Sequence, residues 1–239
     1  MNSNNETERT EKPRKSFFGR TDPETLVYIG WALGAAFGIG LGITLLAPGG
    51  WLDFGLFLCF LSIYHMWEWS FVAFFHPEEL SGDSFLINHS PEWVCAWAFC
   101  VLEYFVERHF FPGMKNHLFI VIPAALVVAG GQAIRTISMY TAGSNFSHIV
   151  EESARDDHVL VTDGIYAISR HPSYFGWFWW TIFMQVLLGN PITTVAFAVV
   201  AWMFFNDRIP DEETYLIEMF GDKYLDYKKR VPTRIPFIK

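Results

Sequence analysis

The 239-residue sequence carries 17 Lys and Arg against 25 Asp and Glu, a net charge of −8, and 51% of its residues are hydrophobic. Only 18% are charged, against about 25% in soluble domains, and the apolar residues form long blocks. The acidity and the lack of a basic face argue against a nucleic-acid partner. The blocks predict an all-α, polytopic membrane protein.

In chain order, a polar tail at 1–24 is predicted to be disordered. Blocks long enough to cross a bilayer follow at about 26–46, 54–75, 93–111, 118–140 and 173–205. The last block is too long for one span, and Gly189-Asn190-Pro191 predicts a tight turn that makes it a helical hairpin. The count is therefore six spans, four of them within 25–140, and a further helix is predicted at about 211–229.

Lys and Arg predict the orientation of these spans. They concentrate in the tail, near 141–172 and after residue 220, and only Arg108 and Lys115 fall on the opposite side. Because positive residues favour the cytoplasm, both termini are predicted to be cytoplasmic. The polar stretch 141–172 and the C-terminal segment can then meet at one membrane surface.

Two features inside the spans leave alternatives open. Gly30, Gly34, Gly38 and Gly42 form a ridge of small residues on the first span, which indicates either packing against a neighbouring span or a homodimer face. Polar pairs on single helix faces indicate mutual pairing, snorkelling at the interface or a functional site, because such groups are costly in a bilayer. These pairs are His65 with Glu68, Glu103 with Glu107, and Gln132 with Arg135.

Metal and nucleophile chemistry find little support in the sequence. Cys59, Cys95 and Cys100 lie inside apolar blocks without zinc-site spacing, which is typical of reduced, buried thiols. The spacing of His148, His158 and His171 matches no familiar zinc pattern. Ser173 lacks the GxSxG turn of a serine nucleophile. We therefore expect no metal.

The polar segments hold the distinctive strings. HVLVTDGIY (158–166) is a short apolar run before a turn, and RHPSY (170–174) starts a span with a proline that suits a helix N-terminus. FFNDR ends the last span at Arg208 and is followed by Glu212 and Glu213. By themselves, Arg208 is consistent with a positive-inside anchor and Glu212 with a solvated helix start.

Taken in order, these strings and the ending FGDKYLDYKKRVPTRIPFI resemble the isoprenylcysteine carboxyl methyltransferases of the endoplasmic reticulum, and the short chain resembles the six-span fungal members. The resemblance covers about 50–239 and is densest over 130–239. It implies a methyltransferase core at 141–239, with a cytoplasmic cofactor pocket formed by the 141–174 segment and the C-terminal helix.

The resemblance also implies site residues. Arg208 binds the substrate, and Arg208 and Glu212 are the catalytic pair. The residues that match S-adenosylmethionine contacts of the family are Glu151, His158, Val159, Leu160, Val161, Tyr166, His171, Pro172, Ser173, Tyr174 and Glu212. Several members have Gln at the position of Glu151, and Glu can accept a hydrogen bond there but cannot donate one.

The implied reaction moves a methyl group from S-adenosylmethionine to the C-terminal carboxylate of a prenylated cysteine, in CaaX proteins already shortened by proteolysis, and gives S-adenosylhomocysteine. The prenyl chain lies in membrane lipid, and the run Trp177–Trp180 indicates either a lining for its entry or an interfacial aromatic belt. Two alternatives stay open: a methyltransferase for phospholipid or another small lipid, and a non-enzymatic membrane scaffold.

Overall fold

The computed structural model describes residues 21–47, 50–88, 90–151, 153 and 158–239. These ranges are helical and contain no strand, which confirms the all-α prediction. The long helices are α1 (Pro23–Leu46), α2 (Leu52–Phe75), α3 (Pro91–Phe110), α4 (Leu118–Ala142), α5 (Pro172–Leu188), α6 (Pro191–Phe220) and α7 (Asp222–Arg230). Short 3-10 turns lie at Pro77–Glu79, Gly82–Phe85, Pro112–Met114, Gly143–Asn145 and Gly164–Ala167. Residues 1–20, most of the predicted tail, fall outside the described ranges.

Four helices, α1, α2, α4 and α6, are long and apolar enough to cross a membrane. The other two predicted spans differ for separate reasons. Helix α3 has 20 residues but includes Glu103, Glu107 and Arg108, and α5 has only 17 residues. The chain is thus a multi-pass membrane protein, and the count of six spans stays a prediction.

Helix α5 lies at the centre of the bundle against α2, α4 and α6. Its contact with α4 is made through glycines: a Cβ atom on Gly176 would lie 2.6 Å from the Gly131 carbonyl oxygen. Trp180 and Phe178 are buried in the core, and Trp177 donates from Nε1 to the Tyr64 hydroxyl at 3.1 Å. The aromatic run is therefore mostly core packing, because α5 is enclosed by other helices.

The predicted turn between α5 and α6 is confirmed, with Gly189 at φ +64°. The buried ammonium of Lys115 fixes this turn through Leu188 O (3.1 Å), Gly189 O (2.9 Å) and Asn190 Oδ1 (2.9 Å), and it pairs with Glu107 at 2.6 Å. Glu103 accepts hydrogen bonds from the first amides of α6, those of Ile192 (2.7 Å) and Thr193 (2.8 Å). Both glutamates thus bind other elements rather than each other.

The prediction of a separate helix at 211–229 is wrong. Helix α6 continues through Pro210 to Phe220, and α7 begins only after Gly221, whose φ is +57°. Pro210 removes one hydrogen bond, that to the Asn206 carbonyl. Both residues are exposed, so that carbonyl can be solvated and the helix persists.

The glycine ridge on α1 has no packing partner in the part of the chain that the structure describes. A Cβ atom at Gly30, Gly34, Gly38 or Gly42 would meet nothing within 4 Å among the described residues. Helix α1 instead packs on α2 through Gly40, whose added Cβ would lie 2.8 Å from Gly55 O. The ridge faces away from the bundle because it lies on a different side of α1 from Gly40.

Gly176→Ala is expected to push α4 and α5 apart, because its methyl group would lie 2.6 Å from Gly131 O and 2.9 Å from Arg135 N. Such overpacking costs about 1–3 kcal/mol of unfolding free energy. Thermal unfolding of the detergent-solubilised protein should show a lower midpoint. The matched control is Gly130→Ala, which has open space; equal midpoints for the two variants would contradict the contact.

Candidate cofactor cleft and substrate arginine

One cleft lies where the C-terminal end of α4, the segment 158–166, the start of α5, the second half of α6 and α7 meet. It encloses about 670 Å³, part of it open to solvent. Its walls carry both aromatic rings and polar groups, as a site for a small organic ligand requires. The lining residues are Ala142, Asn145, Phe146, Ser147, His158, Val159, Leu160, Val161, Tyr166, Arg170, His171, Pro172, Ser173, Tyr174, Glu212, Leu216, Phe220, Tyr224 and Tyr227.

All the predicted cofactor residues except Glu151 line this cleft. Glu151 adjoins residues outside the described part of the chain, and its cofactor contact stays a prediction. The sequence analysis missed Ala142, Asn145, Phe146, Ser147, Arg170, Leu216, Phe220, Tyr224 and Tyr227. For Leu216 and Phe220 a signal existed, since they continue the face of Glu212 at four-residue spacing.

Hydrogen bonds from neighbouring elements shape the segment 158–166. The amide of Val159 donates to Asn145 Oδ1 at 2.7 Å, and Gly164 turns the chain with φ +56°. The Tyr227 hydroxyl donates to the Tyr166 carbonyl at 2.6 Å, which ties this segment to α7. Burial raises the pKa of the Tyr166 and Tyr227 phenols, so both stay protonated donors.

Two adjacent glutamates on α6 have different roles, one structural and one in the lining of the cleft. Glu213 is buried and accepts from Arg170, His171 (3.0 Å) and Lys228 (2.5 Å), so it ties α5 and α7 to α6. Glu212 lines the cleft and accepts a short hydrogen bond from the Tyr174 hydroxyl. Glu213 thus holds α5, α6 and α7 together, whereas Glu212 presents its carboxylate to the interior of the cleft.

Arg208 lies beside the cleft rather than in its lining. Its Nε donates to the Tyr174 hydroxyl and its Nη2 to the His148 carbonyl, each at 2.9 Å. In the described part of the chain Nη1 has no acceptor, and the side chain is only partly buried. The guanidinium therefore keeps donors for an anion next to Tyr174, which belongs to the cleft wall.

A buried ion pair supports the other side of this region. Arg135 donates to Glu68 through Nε (2.5 Å) and Nη2 (2.8 Å), and through Nη1 to the Ser173 hydroxyl (2.9 Å). Glu68 therefore pairs across helices rather than with His65, which bonds the Phe85 carbonyl. Gln132 likewise bonds Thr136 instead of Arg135.

The polar groups of the cleft fit a small ligand that carries both anionic and cationic or hydroxyl groups. Arg170 Nη2 is buried in a residue of the lining without a hydrogen-bond partner among the described residues, and a ligand carboxylate or hydroxyl would satisfy it. Glu212 suits cationic or hydroxyl groups. Among the described residues, only His76, Glu78 and Glu79 lie close enough together to bind a metal ion. None of the three lines the cleft.

Comparison with known proteins agrees with this geometry. Residues 123–218 match the model of the isoprenylcysteine carboxyl methyltransferase (ICMT) family. Protein-S-isoprenylcysteine O-methyltransferases are similar: that of Dictyostelium discoideum is 49% identical over 77% of this chain and 78% of its own, that of Homo sapiens 47% over 87% and 72%, and that of Saccharomyces cerevisiae 45% over 78% and 80%.

A solved structure extends the likeness to three dimensions. The structure of the eukaryotic intramembrane Ras methyltransferase ICMT without a monobody superposes with a TM-score of 0.87 at 40% identity, covering 92% of this chain and 79% of that one. Identity at this level over most of both chains, together with the matching fold, shows that the chain belongs to the isoprenylcysteine carboxyl methyltransferase family.

Proposed function

We propose that the protein transfers a methyl group from S-adenosylmethionine to the C-terminal carboxylate of a prenylated cysteine. The observation that carries the proposal is the convergence of the strings 158–161 and 171–174 with Glu212 in one cleft, with Arg208 at its side. These residues come from separate elements and meet only in the fold. Family membership supports both the reaction type and the substrate class.

Different residues of the cleft are suited to different parts of the cofactor. Glu212 and the backbone of 158–161 suit hydroxyl and amino groups, while Phe146 and Phe220 suit the faces of an aromatic base. When bound, S-adenosylmethionine supplies an electrophilic methyl group on a sulfonium and leaves as S-adenosylhomocysteine. The family relationship supports use of this cofactor, and the donor set agrees with it.

Arg208 holds the methyl acceptor in this proposal. An α-carboxyl group has a pKa near 3.5 and is ionised at cytoplasmic pH, so the acceptor oxygen needs no general base. The planar guanidinium, fixed by Tyr174 and His148, can orient a carboxylate through charge-assisted hydrogen bonds. Orientation of two reactants is worth roughly 7–11 kcal/mol of barrier in favourable cases.

The proposal includes a place in the cell. Six spans with both termini cytoplasmic put the cleft at the cytoplasmic surface of the endoplasmic reticulum membrane, where a polar cofactor and a lipid-embedded prenyl chain both have access. The substrates are prenylated CaaX proteins after C-terminal proteolysis. The long apolar helices and the positive-inside distribution of Lys and Arg support this arrangement.

The test is methyl transfer by the purified protein, with labelled S-adenosylmethionine and a farnesylcysteine analogue, beside phosphatidylethanolamine. Arg208→Ala should lower kcat/KM for the farnesylcysteine analogue by about tenfold or more, because a charge-assisted hydrogen bond worth roughly 1.5–3 kcal/mol is lost, while cofactor affinity in calorimetry largely survives. The control is Arg230→Ala, an exposed arginine that bonds only its own helix.

Three outcomes of that assay contradict the proposal in different ways. If Arg208→Ala lowers cofactor affinity as much as it lowers kcat/KM, Arg208 is not specifically the group that binds the substrate carboxylate. Methylation of phosphatidylethanolamine in preference to the farnesylcysteine analogue would establish the lipid methyltransferase alternative. No turnover of either acceptor by folded, cofactor-binding protein would favour the scaffold.

We further propose that Gly30, Gly34, Gly38 and Gly42 form a homodimer face, since their surroundings in the described part of the chain are open. Gly34→Leu combined with Gly38→Leu should reduce the yield of crosslinked dimer without lowering the unfolding midpoint, because a Cβ atom at either position meets no described residue within 4 Å. The control is Gly130→Leu, an open glycine on α4. An unchanged yield in the double variant would exclude this face.

The topology can be tested through glycosylation. Three N-x-S/T sequons occur, at Asn5, Asn88 and Asn145, and the proposed topology places all three in the cytoplasm, away from lumenal glycosylation. The protein made in a eukaryotic cell should therefore migrate equally with and without endoglycosidase. A shift that disappears in Asn145→Gln would put the cleft in the lumen, apart from cytosolic cofactor.

A further inference from the structure

His148 provides a second link between two parts of the site that α5 already connects through Ser173 and Tyr174. It lies in the strap 143–151, which follows α4, and its carbonyl accepts from Arg208 Nη2 at 2.9 Å. Its ring reaches in the other direction, and Nε2 lies 2.7 Å from Glu68 Oε2. One residue therefore links the arginine of α6 to the buried carboxylate of α2.

The direction of the second bond follows from the chemistry of Glu68. This carboxylate is fully buried and already accepts two hydrogen bonds from Arg135. An ionised carboxylate has no proton to give, so His148 Nε2 is the donor. The ring also makes edge contacts with Phe71 and Phe146, whose centroids lie 6.1 and 5.4 Å away, and these contacts favour its position beside Glu68.

The linkage continues to the wall of the cofactor cleft. Arg135 donates from Nη1 to the Ser173 hydroxyl at 2.9 Å, and Ser173 lines the cleft at the start of α5. A continuous path of hydrogen bonds thus runs from Ser173 through Arg135 and Glu68 to His148, and then to Arg208. Methyl transfer requires the acceptor and the cofactor to be held in fixed relative positions, and this path connects the groups that hold them.

We propose that His148 is a positioning residue that sets the substrate arginine Arg208 relative to the cofactor cleft, through its ring bond to Glu68 and its carbonyl bond to Arg208. The proposal rests on the function proposed above, since it takes Arg208 as the group that holds the carboxylate. His148 itself touches neither reactant. Its removal should therefore weaken binding of the acceptor rather than of the cofactor.

A pair of variants that differ by one methylene separates this role from a general effect on folding. The amide nitrogen of His148→Gln can occupy the position of imidazole Nε2 and donate to Glu68, whereas that of His148→Asn stops near the position of Nδ1 and cannot reach. We expect His148→Asn to raise KM for the farnesylcysteine analogue about tenfold. His148→Gln should stay within about threefold of the natural protein, with cofactor affinity unchanged in both.

The matched control is His117→Asn, because His117 is only partly buried and, among the described residues, its ring bonds the nearby Gly113 carbonyl. A further comparison uses Arg208→Lys, which keeps the charge but loses the guanidinium bond to the His148 carbonyl. Residues that act through one another are not additive, so His148→Asn should raise KM less in the Arg208→Lys background than in the natural protein.

The results distinguish failure of this proposal from failure of the proposed function. If the natural protein turns over the farnesylcysteine analogue and Arg208→Lys raises KM, but the Asn and Gln variants at 148 behave alike, His148 has no positioning role. Loss of cofactor affinity in His148→Asn would also overturn the proposed positioning role. So would an increase in KM from His148→Asn that is as large in the Arg208→Lys background as in the natural protein. Absence of turnover by the natural protein would instead contradict the proposed function.

Discussion

The backbone contact between α4 and α5 at Gly131 and Gly176 is the constraint on which the site depends. Side chains larger than hydrogen would separate these helices, because each glycine already faces the carbonyl of the other. The close approach places Arg135 of α4 opposite Ser173 of α5. Ser173 and its neighbours form one wall of the cleft. The position of that wall therefore depends on Gly131 and Gly176, neither of which lines the cleft.

Buried charges then fix the remaining elements. Each pair joins different parts of the chain: Glu68 with Arg135, Glu213 with Arg170, and Lys115 with Glu107. A buried ion pair adds little net stability after desolvation, but the loss of one partner is costly. These pairs therefore act chiefly by excluding other arrangements of the helices, and two of the three adjoin the cleft.

Local signals in the sequence were sufficient for the helices and for the residues of the compact motifs. Apolar blocks and the Gly189 turn predicted the bounds of α1 to α5 and the start of α6 within a few residues, and the strings 158–161 and 171–174 predicted much of the lining. Other features depend on tertiary contacts that no local pattern encodes. Tyr227 reaches the cleft only because α7 folds back against the segment 158–166. Helix α6 continues past Pro210 because Asn206, whose carbonyl loses its helical hydrogen bond there, is exposed to solvent.

The pairings of polar residues failed for the same reason. Spacing along one helix indicated His65 with Glu68 and Glu103 with Glu107, but a helix face only shows which residues can meet a neighbour. The neighbour supplied better partners, namely the guanidinium of Arg135 for Glu68 and the first amides of α6 for Glu103. Helix-to-helix register, which decides such partners, is set by packing and not by spacing within one segment.

The Lys115 ammonium has a mechanical consequence. It closes the turn between α5 and α6 with three acceptors from residues 188–190, at the end of the hairpin opposite to Ser173 and Arg208. The other end of the hairpin is closed as well, because Glu213 of α6 accepts hydrogen bonds from Arg170 and His171 at the start of α5. The hairpin of α5 and α6 is therefore fixed at both ends, and Ser173 and Arg208 lie near the end that Glu213 closes.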